Sequence, residues 1–389
     1  MININMKKIA FACICVLLVA CKKNSSHTPE YNYELKETQQ SLSYGLDSST
    51  KYEFTNLFPY IEKDKEYLTF ASDKEILFYD LKKGNLLFKT EIKPDGPNGF
   101  NGFYGYHIED MNHIYLTSGI LPFIAQIDTT GKIIKKIKYG TTESGYTVKP
   151  TFASTSFFNT PMIIVDGQIY ITQKPCFFHP MSKTPVSIQI DTLSNTMKEL
   201  PFLFPPLFKD DELGKFSATS SAFSRDFNGK EFVYSFYFDE NIYVASLDHK
   251  KIRKIPVKSK YISHLKIEKR NEDMFAGIRR EFETANYGNL YYDKYRKVYY
   301  RMAYPEINLD NNKSVNYMRL TCLGRIKFSI IIMDEHFNII GETLFPEYQY
   351  CPTVLFVHKD GLYICNNHPM EAGFDENVLS FSCFELVKK

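Results

Sequence analysis

A short pattern recurs six times after the N-terminus, and it restricts the fold more than any other property of the chain. Each copy has a turn, a strand ending near Tyr, a loop, and an apolar run closed by an acidic residue. It reads Glu66-Tyr67-Leu68 with Ile76 to Asp80, Ile114-Tyr115-Leu116 with Ile124 to Asp128, and Ile169-Tyr170-Ile171 with Ile188 to Asp191. Weaker copies follow at Phe232-Val233-Tyr234 with Val244 to Asp248, and at Val298-Tyr299-Tyr300 with Ile330 to Asp334. The last is Leu362-Tyr363-Ile364 with Phe381 to Glu385. Self-similarity at this period belongs to solenoids, propellers and arrays.

Within the second copy, residues 103–108, 113–117, 123–128 and 132–139 read as four strands of an antiparallel meander, broken by Asn112, Gly119, Pro122 and Gly131. The other copies repeat its turns. Asp166-Gly167, Asn228-Gly229 and Asp360-Gly361 supply the positive φ that tight hairpins need. Six copies predict an all-β, six-bladed β-propeller. The last copy lacks an outer strand, and Tyr31 to Leu35 alternates in polarity. An N-terminal strand is therefore expected to close the last blade, which removes exposed edges. An open solenoid and two packed sandwiches are the alternatives. Residues 267–285 break the pattern. Met274, Phe275, Ile278 and Phe282 recur at helical spacing and predict one short inserted helix.

The N-terminus reads as targeting sequence. Lys7-Lys8 precede an apolar stretch from Ile9 to Ala20, too short to span a bilayer, which ends in Leu18-Val19-Ala20-Cys21. This resembles a bacterial lipobox, in which the cysteine is acylated and becomes the mature N-terminus. The expected organisation is a signal peptide over 1–20, a polar tether over 21–30, and the propeller over 31–389. Lys22-Lys23-Asn24-Ser25-Ser26, directly after Cys21, holds no acid, which points to a cell-envelope protein on the outer membrane, facing the periplasm. Setting 1–20 aside removes two lysines and no acid, so the formal charge falls from +2 to 0. Such a balance offers nucleic acid no attractive field. The bilayer, through acylated Cys21, is the expected partner, together with a protein or glycan ligand of unknown identity.

Beyond Cys21 come Cys176, Cys322, Cys351, Cys365 and Cys383, an odd number with no Cys-x-x-Cys pair. Neither a disulfide framework nor a thiolate metal site is indicated. Buried free thiols are expected, with a Cys365–Cys383 bridge as the alternative.

The chain looks like the uncharacterised propeller lipoproteins of Bacteroidetes-type Gram-negative bacteria. The resemblance rests on the acid-capped strands and on Tyr299-Tyr300-Arg301-Met302-Ala303-Tyr304-Pro305-Glu306. It implies a six-bladed propeller on a lipid tether and carries no activity, catalytic residue or cofactor.

Catalytic signatures reduce to near-misses. Gly140 to Gly145 has P-loop glycine spacing, but Tyr146 stands where the phosphate-binding Lys belongs. Asn308, Asp310, Asn312 and Ser314 begin like a calcium loop, but Lys313 and Arg319 occupy its glycine and terminal Glu positions. No catalytic set, metal or cofactor is expected.

Loop lengths are more informative. In an antiparallel blade, two kinds of connection share each face. Here nearly every long segment falls on one face: 93–106, 140–160, 174–185, 203–221, 258–286, 303–325 and 366–377. Long loops on a scaffold are where binding concentrates. On that face the candidate binding residues are Tyr106, His107, Arg301, Tyr304, Glu306 and His368. The Arg301 fork suits a carboxylate or sulfate, or else pairs with an acid to hold the ring. The leading reading is a non-catalytic binding or scaffolding module. The alternative is a glycan-active lyase or hydrolase with its site at the channel mouth.

Overall fold

A computed structural model describes residues 31–52, 54–149, 159–176, 179–270, 273–309 and 323–389. The signal peptide, the tether, Cys21, Cys322 and most of the calcium-like segment lie outside them.

Strand β1 (Tyr33–Gly45) is followed by four antiparallel meanders. The first is β2 (Thr55–Glu62), β3 (Lys65–Ser72), β4 (Glu75–Asp80) and β5 (Leu86–Glu91). The second is β6 (Phe103–Asp110), β7 (His113–Ser118), β8 (Phe123–Ile127) and β9 (Ile133–Lys138). The third is β10 (Ile163–Val165), β11 (Gln168–Thr172), β12 (Ser187–Asp191) and β13 (Met197–Glu199). The fourth is β14 (Phe223–Phe227), β15 (Glu231–Phe236), β16 (Asn241–Ser246) and β17 (Ile252–Pro256). Helix α1 (Met274–Glu283) precedes β18 (Asn286–Asp293), β19 (Val298–Tyr304), β20 (Ser329–Met333) and β21 (Ile339–Leu344). The chain closes with β22 (Cys351–His358), β23 (Gly361–Cys365) and β24 (Val378–Lys388).

The acid that closes each apolar run is a turn device. Asp80 Oδ1 accepts from the backbone N–H groups of Lys82 and Lys83, at 3.1 and 2.8 Å. Asp191 accepts from Leu193 and Ser194, at 2.8 and 2.9 Å. Asp128 and Asp334 do the same for Thr130 and His336, both at 2.9 Å. An aspartate that satisfies the two or three N–H groups after it replaces a backbone turn and ends the strand. At Gly131, with φ +80°, an added Cβ would lie 2.5 Å from the Glu91 carbonyl oxygen, so the turn there tolerates only glycine. Glu385 differs, because β24 runs on through it without turning.

The six separate blades expected from the repeat are not what forms. Four sheets are four-stranded, and the remaining eight strands make one sheet in the order β18-β19-β20-β21-β1-β24-β23-β22. The arrangement is propeller-like, with four discrete blades. The finding that overturns six is the second edge of β1. One edge pairs antiparallel with β24, from Tyr33↔Lys388 to Gly45↔Val378. The other makes a parallel pair, Tyr33↔Gly341, with β21. There the Leu35 N–H donates to Thr343 Oγ1 at 2.8 Å. Hydrogen bonding thus runs uninterrupted where a blade boundary was expected.

The core lies between neighbouring sheets. Tyr67 and Phe78 of the first sheet pack against Tyr106 and Ile114 of the second. Tyr115 and Ile124 meet Ile169 and Ile188, and Tyr170 and Val186 meet Phe232 and Tyr234. Val233 and Val244 meet Leu290 and Ile331. Within the eight-stranded sheet, Val298 and Ile330 pack on Leu355 and Ile364, so that sheet folds on itself. Phe356 and Phe381 return to Phe70 and Leu77 of the first sheet.

Helix α1 starts at Asp273, whose side chain accepts from the Ala276 N–H at 3.0 Å, as a good N-cap does. Its Phe282 and Ile278 pack on Leu309 and Ile326, while Met274 and Phe275 stay exposed. The helix expected from the spacing of these four residues is present.

Candidate binding seam

The site is built where β14 and β18, the first strands of two successive meanders, run side by side. Strand β18 carries a bulge against β19: Tyr287 pairs with Ala303, but the next pair is Leu290 with Arg301. The two unpaired residues are Gly288 and Asn289. An added Cβ on Gly288 would lie 2.4 Å from the Tyr304 ring, so the phenol lies against bare backbone there. Bulges re-aim side chains in this way and recur beside functional sites.

Asn289 is the centre of a hydrogen-bond chain. Tyr237 Oη donates to Asn289 Oδ1 at 2.8 Å, and Asn289 Nδ2 donates to Tyr291 Oη at 3.0 Å. Burial pushes both phenols well above the ordinary tyrosine range, so they are neutral donors and acceptors at any physiological pH. Farther along the seam, Asp226 Oδ2 accepts from the Tyr292 N–H at 2.6 Å and Oδ1 accepts from the Phe227 N–H at 2.7 Å. Enclosure raises the Asp226 carboxyl to about 6, against the pull of those two N–H groups and of Arg225.

At the loop end, the Arg325 guanidinium sits over the rings of Phe282 and Tyr304, with centroids at 4.9 and 5.6 Å. It donates to the Glu281 carbonyl and, at 3.4 Å, to Asn286 Oδ1. Burial lowers its pKa to about 10, which still leaves it fully charged at neutral pH. The seam therefore presents phenols, an amide, a carboxyl and one fixed cation. Among the described residues no group of three or more His, Cys, Asp or Glu side chains could hold a metal ion.

The six residues singled out from the sequence do not converge. Tyr106 is fully buried between the first two sheets, and its hydroxyl donates to Thr69 Oγ1 at 2.9 Å and to the Asn56 carbonyl at 3.0 Å. His107 points to the opposite side of β6 and is half-buried, and burial alone lowers it to about 4, so it is neutral. Arg301 is fully buried and faces the neighbouring sheet. Its fork donates to the carbonyls of Asp239, Glu240 and Val257, at 2.6, 3.0 and 2.7 Å. Its Nε donates to Ser235 Oγ at 2.9 Å, and the guanidinium stacks on Tyr287 at 3.6 Å. It staples two sheets through carbonyls and makes no pair with Glu306, which is exposed. His368 is buried, with Nδ1 accepting from the Met370 N–H at 3.2 Å. Tyr304 alone joins the seam.

Tyr237, Asn289, Tyr291, Asp226 and Arg325 were missed. One signal was legible: the isolated glycine in Asn286-Tyr287-Gly288-Asn289, which inside a strand marks a bulge or close backbone approach. The P-loop-like segment is a small loop closed by a Thr141↔Thr147 bridge, with Thr142 Oγ1 donating to Glu199 at 3.0 Å.

The model of a domain of unknown function, DUF4221, matches residues 32–344. The chain belongs to the DUF4221 family. A crystal structure of a DUF4221 member from Bacteroides vulgatus is similar to it, with 28% identity and a TM-score of 0.80. The match covers 92% of this chain and all of that one. A putative exported protein from Bacteroides fragilis shares the fold at a TM-score of 0.51 and 10% identity, over 92% of this chain and 96% of the other. No curated protein matches the chain. Membership in DUF4221 establishes the kinship to uncharacterised Bacteroides proteins that the sequence implied. It assigns no activity.

Proposed function

We propose that this DUF4221 protein is a binding module of the cell envelope, tethered by lipid on Cys21, whose loop face receives a hydroxyl-rich ligand, a glycan, at the seam. The observation that carries the reading is the Tyr237–Asn289–Tyr291 chain. Asn289 accepts from one phenol and donates to the other, and the bulge sets it between them, so a polyhydroxylated partner meets preorganised groups at small entropic cost. Tyrosine rings beside them supply flat faces for sugar rings, and Arg325 adds a fixed donor fork for an acidic substituent. The exposed Met274 and Phe275 stand on the same face, on the helix whose Glu281 and Phe282 hold Arg325.

The test is a glycan-array screen of residues 31–389, followed by calorimetry on the hits. Replacing Tyr237 by Phe is expected to weaken a hit at least tenfold with little change in Tm, and replacing Asn289 by Ala to weaken it likewise while lowering Tm, because the two phenols lose their amide partner. Equal binding by those variants, or an empty array beside a recovered protein partner, would overturn the reading.

A further inference from the structure

Cys351 and Cys365 stand directly opposite one another on the antiparallel strands β22 and β23. Opposed residues in such a pair lie about 4.5–5.5 Å apart at Cα, inside the roughly 4.4–6.8 Å that a disulfide spans. Both thiols are free, and both are wholly buried in the core shared by the closing strands and the first sheet. Cys351 Sγ donates to the Asn367 carbonyl at 3.9 Å. Tyr52 Oη lies 3.4 Å from Cys365 Sγ and donates to the Asn367 carbonyl at 2.7 Å. The other described cysteines are placed differently. Cys383 faces Tyr363 across β23–β24, Cys365 faces Phe381 there, and Cys176 belongs to the third meander's loop.

From this juxtaposition we infer that Cys351 and Cys365 are a disulfide-forming pair, a covalent modification site in the closing strands. Either thiol can attack first, with the same product. In the packed fold burial holds the Cys351 thiol protonated. The oxidant is a low-molecular-weight disulfide. With Cys365 first, the thiolate attacks one sulfur of this oxidant, the S–S bond breaks, and one thiol leaves. Cys351 then loses its proton, attacks the Cys365 sulfur of the mixed disulfide, and expels the second thiol. Two protein thiols are oxidised by two electrons, one external disulfide is reduced, and the two protons end on the released thiols. Because both sulfurs are buried, exchange takes place before the closing strands pack or when they open.

The bridge has a structural address. Between Cys351 and Leu355 the register of β22 on β23 shifts, which leaves Pro352, Thr353 and Val354 as a bulge. Gly324 packs on that bulge, with its added Cβ falling 2.7 Å from Pro352 Cγ, and Arg325 follows it. A bridge at Cys351 therefore fixes the support beneath the cation of the seam.

The full-length chain in detergent is unfolded in urea and refolded in reduced or oxidised glutathione, and its fold is verified by circular dichroism. It is then acid-quenched, denatured, alkylated and mapped by mass spectrometry. In the oxidised arm, Cys351 and Cys365 are expected to escape alkylation together, as one linked peptide pair two hydrogens lighter. Cys176 and Cys383 label in both arms. Cys383→Ala keeps the link, and Cys351→Ala leaves Cys365 open to alkylation instead of moving the link to Cys383. Full labelling of Cys351 and Cys365 in the oxidised, refolded chain would overturn the inference, as would a Cys365–Cys383 link. Refolding removes burial as an obstacle, so a negative result cannot be ascribed to access.

Discussion

Asp226 and Arg301 mark the two ways this chain places charge inside. Among the described residues Arg301 is paired with no carboxylate at ion-pair distance, and five carbonyls and a serine share its five N–H groups. Its fork therefore works as a crosslink and not as half of an ion pair. Asp226 is instead reached by solvent and strained by enclosure. Its folded pKa of about 6 lies above the ordinary 3.8, so its contribution to stability is fully present below pH 3.8 and is lost as pH rises through 6. For a carboxyl that still meets solvent, the loss is about 1–2 kcal/mol. Asp226→Asn is therefore expected to gain that much relative to the parent between pH 4 and pH 8, whatever its offset at pH 4. Urea titrations at the two pH values measure it, and parallel curves would sink the assignment. The sequence made these roles unequally legible. An aspartate that caps a turn, such as Asp80 or Asp191, acts on its next three residues and can be read locally. Arg301 draws its acceptors from residues 235–257, and nothing near position 301 records them.

Among elements, β1 departs most from what its sequence announces. Tyr33, Glu34 and Leu35 alternate as any outer strand does, and the pattern predicts one paired edge. The second edge depends on Gly341, where an added Cβ would lie 2.1 Å from the Tyr33 carbonyl oxygen. A parallel contact between residues 33 and 341 leaves no trace in local periodicity, and so the blade count read from the repeat was too high. Gly341→Ala is expected to force β1 off β21 and to cost roughly 1–3 kcal/mol, the usual range for overpacking. Gly373→Ala, where an added Cβ meets nothing within 4 Å, is the control and should be neutral. Equal Tm values for the two variants would remove the role given to Gly341. The strands of the four discrete sheets were legible because hairpin turns are local. The seam was not, because Tyr237, Asn289 and Arg325 come together from three separate segments.

At the scale of the molecule, the two ends of the described fold are fastened to each other. Besides the β1–β24 ladder, the Lys389 N–H donates to the Asn32 carbonyl at 2.8 Å, and Lys389 Nζ lies 3.4 Å from Glu34. Removal of residues 1–30 is expected to release the protein from the membrane fraction with an unchanged Tm. Removal through Gly45 strips the seam between β21 and β24 and is expected to abolish cooperative unfolding, with soluble aggregates on gel filtration. A truncation through Gly45 that still melts in one sharp transition would show that closure is dispensable.

The direction of β1 has a geometric corollary. The strand enters at Tyr33, beside Lys388, and leaves at Gly45, beside Val378. Val378 follows the long segment 366–377, whereas Tyr33 lies at the end of the tight hairpins. Anything grafted ahead of Asn32 or behind Lys389 thus approaches from underneath. A sensor chip or bead coupled through either terminus would hold Arg325 and α1 uppermost, turned toward the bulk solution.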